Sequence, residues 1–172
     1  MNYFELYELP ISFIVDQDQV KKKFLELSKK FHPDFFVNEG EAKQQEVLEK
    51  STMNTRAFQA LSDFDKRMQY ILEWKQLISE GERYELSPVF LMDMMDINEA
   101  LMDLEQEKDQ HKIEALRKQV AGLFEELYDE VRSEITSYRD DTADENVLKK
   151  IKDYYYRKKY LLRIQRSLDT FA

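Results

Sequence analysis

The sequence predicts an all-α protein of two domains, with four helices in the first and an antiparallel bundle of three in the second. Three observations favour this fold class. The 172 residues include only 3 Gly and 3 Pro, so helix breakers are scarce. Charged residues make up 35% of the chain, and many stretches are rich in the helix formers Glu, Lys, Leu and Gln. Apolar side chains recur at helical spacing, and no stretch alternates as a strand does.

The first domain is expected over residues 1–76 and begins with a short helix within Asn2–Leu9. That helix ends before the following proline, because the residue before a proline avoids the α region. Asp16 is placed to cap the second helix, with Gln19 as its reciprocal partner. This helix stops near Pro33, and its apolar stripe consists of Val20, Phe24, Leu27 and Phe31.

Two further helices are predicted in the first domain. The longer one runs from about Glu41 to Leu61. Ser62 and Asp63 form a break and a new cap, and the fourth helix then continues through Trp74. Residues 77–86, which include a Ser-Glu-Gly-Glu run, are interpreted as a linker between the two domains.

The second domain is expected over residues 87–172 and contains three long amphipathic helices. Ser87 at the cap and Pro88 at the first helical position are a strong start signal for a helix that runs to about Asp109. A helix-poor break at Asp140–Asp144 separates the other two. Their stripes are Ile113, Leu116, Val120, Leu123, Leu127, Val131 and Tyr138, then Val147, Ile151, Tyr154, Leu161, Ile164, Leu168 and Phe171. Short turns between long helices predict an antiparallel bundle.

Composition excludes several classes of function. The net charge of −9 argues against non-specific nucleic-acid binding, which needs clustered cations. The chain has no Cys, so it forms no disulfide and has no thiol nucleophile, as expected in a reducing compartment. We find no apolar run long enough to span a membrane and no basic-then-apolar leader, and we expect a cytoplasmic protein.

Metal and cofactor sites are not expected either. The chain has two histidines, His32 and His111, which lie in different halves. The acidic cluster of Asp140, Asp141 and Asp144 lacks the spacing and central glycine of an EF-hand loop. No glycine-rich phosphate loop is present.

The tripeptide His32-Pro33-Asp34 follows a basic helix. Between Asp18 and Phe31 there are two acids and five lysines, a local net charge of +3 on an acidic chain. By themselves the lysines fit a solvated helix face, and the tripeptide fits a turn. The five lysines are Lys21, Lys22, Lys23, Lys29 and Lys30.

In its wider context this region resembles the J-domain family. The resemblance is carried by Tyr3–Leu6, the basic helix, the His-Pro-Asp tripeptide, and then Asn54, Ala57, Phe58, Leu61, Arg67 and Tyr70. It implies that the five lysines and the tripeptide dock on an HscA- or DnaK-type chaperone and stimulate its ATPase, so that the chain itself is no enzyme. Two positions depart from the family pattern, since Phe35 replaces a common lysine and Phe64 a common proline.

The helix that begins at Pro88 has more apolar residues than its core face needs. Its core stripe is Phe90, Met94, Ile97, Leu101 and Leu104, which leaves Leu91, Met92, Met95 and Met102 outside it. Met92 and Met95 project away from the stripe, on the side that carries Asp96, Glu99 and Asp103. From Glu82 to Asp109 there are nine acids and two bases, which implies a basic partner. The alternatives are a more deeply buried bundle or coverage of this face by the first domain.

The chain is also similar to the HscB type of J-protein, through Tyr3–Pro10 and Phe90–Asp93. This resemblance implies a J-domain joined to a three-helix bundle that delivers the IscU-type iron–sulfur scaffold protein to the chaperone. It also implies a scaffold-binding set of Leu91, Met92, Met95, Asp96, Glu99 and Asp103, together with an aromatic residue on the last helix. Tyr154 fits the core stripe, so Tyr155 or Tyr156 is expected to face outward. The alternatives are a J-protein for another client and an inert helical adaptor.

Overall fold

The computed structural model describes residues 1–171, which contain seven α-helices, one 3₁₀ helix and no strand. The all-α prediction is therefore confirmed for the described chain. The elements are α1 (Tyr3–Leu6), α2 (Gln17–Lys30), the 3₁₀ helix (Pro33–Phe36), α3 (Glu41–Leu61), α4 (Phe64–Trp74), α5 (Pro88–Gln106), α6 (Gln110–Thr136) and α7 (Glu145–Asp169). Two compact units result, Met1–Leu77 with Tyr138–Thr142, and Ile78–Ser137 with residues 143–171.

The helix starts follow the capping residues of the sequence. The Asp16 carboxylate accepts a hydrogen bond from the backbone N–H of Asp18, and Ser87 Oγ accepts one from Phe90. Such side chains satisfy N–H groups that have no partner within the helix. Two boundaries differ from the prediction, because α5 ends at Gln106 and not near Asp109, and α6 ends at Thr136, before Tyr138, which groups with the first unit. Asp109 instead caps α6.

A buried hydrogen-bond network joins three elements of the first unit through Asn54, which is almost inaccessible to solvent. The hydroxyl of Tyr7, just after α1, donates to Asn54 Oδ1 at 2.8 Å. Asn54 Nδ2 donates to the backbone oxygen of Phe24 and to Ser28 Oγ on α2, each at 3.1 Å. Burial raises the pKa of Tyr7, which keeps its hydroxyl a donor at neutral pH. The network holds α2 and α3 side by side.

A buried arginine fixes α4 in the same unit. Arg67 Nε donates to the backbone oxygen of Phe13 at 2.8 Å, and Nη1 donates to that of Leu61 at 2.7 Å. Burial lowers the pKa of Arg67, although the nearby Asp63 opposes this effect. The guanidinium thus donates to two backbone carbonyls, one in the loop before α2 and one at the C-terminal end of α3. Carbonyls in such places have no acceptor role within a helix, so a side chain satisfies them here.

The second unit is built from α5, α6 and α7, and short connections make consecutive helices antiparallel. Its core consists of the predicted stripes, with few exceptions. The buried side chains are Phe90, Met94, Ile97, Leu104, Ile113, Leu116, Val120, Leu127, Val131, Ile135, Ile151, Tyr154, Tyr155, Leu161, Ile164 and Leu168. A polar bond also links two helices, because Asn98 Nδ2 on α5 donates to Tyr160 Oη on α7 at 2.9 Å.

Replacement of Asn54 tests the network. Asn54→Ala leaves the Tyr7 hydroxyl and Ser28 without this partner in a buried place, so we expect the free energy of unfolding to fall by about 1–3 kcal/mol. Urea denaturation followed by the fluorescence of Trp74, the single tryptophan, reports on the first unit. The control is Gln59→Ala, an exposed position on the same helix. Equal losses in the two variants would contradict the role of the network.

Candidate functional site

The His-Pro-Asp tripeptide forms an exposed turn between α2 and α3. Pro33 begins the 3₁₀ helix, and His32 caps it, because His32 Nδ1 accepts a hydrogen bond from the backbone N–H of Asp34 at 3.3 Å. The N–H of Phe35 donates to the backbone oxygen of His32 at 3.1 Å. This bond to Nδ1 selects the tautomer that carries its proton on Nε2. The three predicted residues are all exposed to solvent, and Asp34 Oδ2 lies 3.7 Å from His32 Nδ1.

One side chain of α3 is hydrogen-bonded to the segment that follows this turn. Gln44 Nε2 donates to the backbone oxygens of Val37 and Glu39, at 3.2 Å and 2.9 Å. A groove of about 340 Å³ lies beside the turn, between it and α3. Phe35, which stands where many relatives have lysine, is 73% exposed. The turn therefore offers both charge and apolar surface to a partner.

The lysines of α2 spread around its solvent-facing side. Lys22 and Lys29 lie opposite the buried Val20, and the other three lie to either side of it. Four of the five predicted side chains are exposed: Lys21, Lys22, Lys29 and Lys30. Lys23 is half-buried and pairs with Glu8 and Glu26. The hydrogen bond from Lys23 lowers the pKa of Glu8. Lys23 is thus partly neutralised within the chain, and the other four lysines are the main source of positive potential on this face.

The outer face of α5 is apolar and acidic in the structure. Met92 is 67% exposed and Met95 is 57% exposed, whereas Met94, between them in sequence, is buried. The other predicted scaffold contacts are exposed as well: Leu91, Asp96, Glu99 and Asp103. The alternative that these side chains belong to the core of the bundle is therefore wrong. The structure brings all six onto one helix surface.

The tyrosines of α7 differ from the expectation. Tyr155 is buried like Tyr154, so the suggestion that it faces outward is wrong. The reason is helical geometry, since residues three and four after the buried Ile151 lie on the same stripe. Tyr156 is partly buried, and its ring stacks on that of Tyr84 with centroids 4.4 Å apart.

The segment before α5 is bonded to α7. The carboxylate of Glu82 accepts hydrogen bonds from the Tyr156 hydroxyl at 2.6 Å and from Lys152 Nζ at 2.9 Å. The Tyr84 hydroxyl donates to Asp153 at 2.8 Å. Burial, with a smaller effect of Asp153, raises the pKa of Tyr84 to about 12. Sequence reasoning missed these contacts, because their partners lie far apart in the chain and follow no local pattern.

Two other kinds of feature are absent from residues 1–171. No group of three or more His, Cys, Asp or Glu side chains in that range is arranged to hold a metal ion. None of its helices is long and apolar enough to cross a membrane. The surfaces described above, which consist of an exposed turn and an exposed helix face, are thus the candidate site.

Comparisons with known proteins assign both halves of the chain. The DnaJ domain family matches residues 2–70, and the HSCB C-terminal oligomerisation domain family matches residues 86–169. Chaperone HscB from Vibrio cholerae has the same fold, with a TM-score of 0.81 and 24% identity over 98% of this chain and 96% of that one. The human co-chaperone protein HscB gives a TM-score of 0.78 and 22% identity, over 99% of this chain and 81% of that one.

The exposed His-Pro-Asp turn lies within the segment that matches the DnaJ domain, so the chain is a J-domain protein. The match of residues 86–169 to the HSCB C-terminal domain then shows which kind of J-domain protein it is. Together the two matched segments, in this order, place the chain in the HscB family of J-domain co-chaperones. That family serves iron–sulfur cluster assembly.

The Glu82 contacts predict a pH dependence of stability. Hydrogen bonds from Tyr156 and then Lys152 lower the pKa of Glu82 in the folded state. A lowered carboxyl pKa stabilises the fold above the unfolded value of about 4.3, and this contribution disappears as the pH falls through the folded pKa. We expect the stability lost in Glu82→Gln to be largest near neutrality and to shrink below about pH 4.

Urea denaturation of both proteins between neutral and acidic pH measures this difference. Glu80→Gln, at an exposed position of the same segment, is the control and should show a smaller difference at neutral pH. A difference between wild type and Glu82→Gln that does not change with pH would contradict the assignment.

Proposed function

We propose that this chain binds an IscU-type iron–sulfur scaffold protein, delivers it to an HscA- or DnaK-type chaperone, and stimulates the ATPase of that chaperone. Residues 1–76 act on the chaperone, residues 87–172 hold the client, and residues 77–86 connect them. The protein is an activator and not itself an enzyme. It needs no cofactor or metal for this task, and the cytoplasmic location expected from the sequence belongs to the same proposal.

One observation carries the proposal. Apart from the half-buried Lys23, the residues of both predicted contact sets are exposed, while each of their helices also has a buried side. On α2, Val20 is buried and Lys22 and Lys29 lie outside; on α5, Met94 is buried and Met95 lies outside. Side chains that the fold does not use are thus available to partners.

The chaperone contact follows from the charge and shape of the first unit. Exposed lysines attract and orient an acidic surface over a distance, and salt weakens this effect. Pro33 gives the turn a fixed backbone angle. Asp34 then presents a carboxylate for a charge-assisted hydrogen bond, with a partner arginine as the best geometric match. If these contacts are stronger in the chaperone conformation that hydrolyses ATP, binding shifts the chaperone population towards that conformation.

The client contact follows from the outer face of α5. Methionine side chains adapt to an irregular apolar surface, and Met92 and Met95 form the apolar part of this face. Asp96, Glu99 and Asp103 surround it with negative charge, which favours a basic scaffold surface. An apolar centre with a polar border is the usual arrangement of a protein interface.

The first test is steady-state ATP hydrolysis by an HscA- or DnaK-type chaperone. We expect the wild-type chain to stimulate hydrolysis and the His32→Gln variant to have no measurable effect, because the cap of the turn is changed at the proposed contact. Helicity by circular dichroism should be the same in both proteins. His111→Gln, at the exposed start of α6, is the control and should stimulate like wild type. Stimulation by His32→Gln would contradict the chaperone assignment.

The second test concerns the scaffold. Met92→Ala combined with Met95→Ala removes two exposed apolar side chains, so we expect scaffold affinity to fall by about tenfold or more while stimulation without scaffold persists. Gln119→Ala, exposed on α6, should bind like wild type. Unchanged affinity of the double variant would contradict the site. Stimulation that is indifferent to scaffold would favour another client, and absence of stimulation would favour an inert adaptor.

A further inference from the structure

The exposed methionines of α5 have a chemical property beyond their shape. A third methionine of the same helix, Met102, is also exposed, at 64%. At roughly 100° per residue, the three fall within a sector of roughly 80° on the helix. Met94, one residue from Met95, is only 1% exposed. The helix thus presents three thioethers to solvent on one side, which we name the methionine face.

We propose that the methionine face is a reversible oxidation site, through which peroxide weakens binding of the scaffold protein. This inference rests on the proposed client contact. In the reaction, a sulfur lone pair attacks one peroxide oxygen, so that an S–O bond forms as the O–O bond breaks. The departing hydroxide takes a proton and leaves as water. Sulfur is oxidised to the sulfoxide, and peroxide is reduced.

The neighbours on α5 make this change costly for binding. A sulfoxide oxygen accepts hydrogen bonds, and it needs a donor when a partner covers it. The side chains beside Met92 and Met95 are the apolar Leu91 and the acceptors Asp96 and Glu99, and the neighbouring Asn98 amide already donates to Tyr160. An ionised carboxylate accepts and does not donate. Near Met92 and Met95 the face therefore offers the new oxygen no free side-chain donor, although Gln106 follows Met102 by one turn. Burial of such an oxygen under an apolar part of the scaffold would leave it unsatisfied.

The rest of the chain offers peroxide few other accessible sulfurs. Met1, which is 78% exposed and lies outside the methionine face, is one of them, and it is unchanged in the triple variant described below. The sequence contains no Cys, so no thiol of this protein competes for peroxide. Met68 and Met94 are each 1% exposed, and their sulfurs are shielded within the two cores. Oxidation of exposed methionines alone alters a surface without changing either core. The fold should therefore persist in the oxidised protein.

The charge of the α5 surface predicts which binding rate oxidation changes. A sulfoxide carries no net charge, and the acidic residues of α5 remain ionised, so long-range attraction of a basic partner is preserved. Short-range contacts on the apolar part of the face are lost. We expect oxidation to increase the dissociation rate of the scaffold and to leave the association rate and its salt dependence nearly unchanged.

The experiment treats the full-length chain with hydrogen peroxide, locates sulfoxides by peptide mass spectrometry, and measures binding of an IscU-type scaffold before and after. We expect sulfoxide at Met92, Met95 and Met102 before Met68 and Met94, and affinity lower by about tenfold or more. Methionine sulfoxide reductase should restore the affinity. Unaltered circular dichroism shows that the fold persists.

A variant that carries Met92→Leu, Met95→Leu and Met102→Leu separates this chemistry from other damage. For each protein the readout is the ratio of its affinity after and before peroxide, whatever its starting value. We expect a large ratio change in wild type and a ratio near one in the variant. Equal ratios, or full binding by wild type with confirmed sulfoxides, would overturn the proposal. Absence of binding by untreated wild type would instead overturn the client assignment, and the oxidation site with it.

Discussion

The hydrogen bonds of Asn54 are the constraint on which the first unit depends. One amide group satisfies the Tyr7 hydroxyl, a carbonyl of α2 and Ser28, so three chain segments meet at a single buried side chain. An amide has both donors and acceptors, and its two ends must face the right partners. The relative position of α2 and α3 is set in this way. The His-Pro-Asp turn, which joins these helices, is presented by that arrangement.

The two units expose helix surfaces of different chemistry. Each leaves the proposed contact side of one helix exposed while the other side is buried. On α2 the exposed side is basic, and on α5 it is apolar and acidic. Lysines on a helix face remain compatible with water, whereas the methionines of α5 expose apolar surface that favours association. Exposed apolar side chains thus group on α5 and around Phe35, and others, such as Leu25 and Trp74, are exposed elsewhere in the first unit.

Much of the fold could be predicted from the sequence, because caps and apolar stripes are local signals. Ser87 and Asp63 begin the helices they were expected to begin, and the bounds of α3 match the prediction. The exposure of both candidate surfaces followed from the same periodicity, although the roles of their residues stay predictions. The bonds of Glu82 to α7 were not predictable, because no local pattern links residues so distant in sequence. The choice between Tyr155 and Tyr156 stayed open, because a run of three tyrosines allows two registers for one stripe.

The alternation of buried Met94 and exposed Met95 has a consequence for how this helix can change over time. Deleting one residue within α5 rotates everything beyond it by roughly 100° relative to the bundle. Residues of the outer surface would then turn towards the core, and core residues towards water. Substitutions can alter one side of the helix at a time, whereas insertions and deletions alter both together. The number of residues between Ser87 and Leu104 therefore determines which side chains of α5 face the core and which face water.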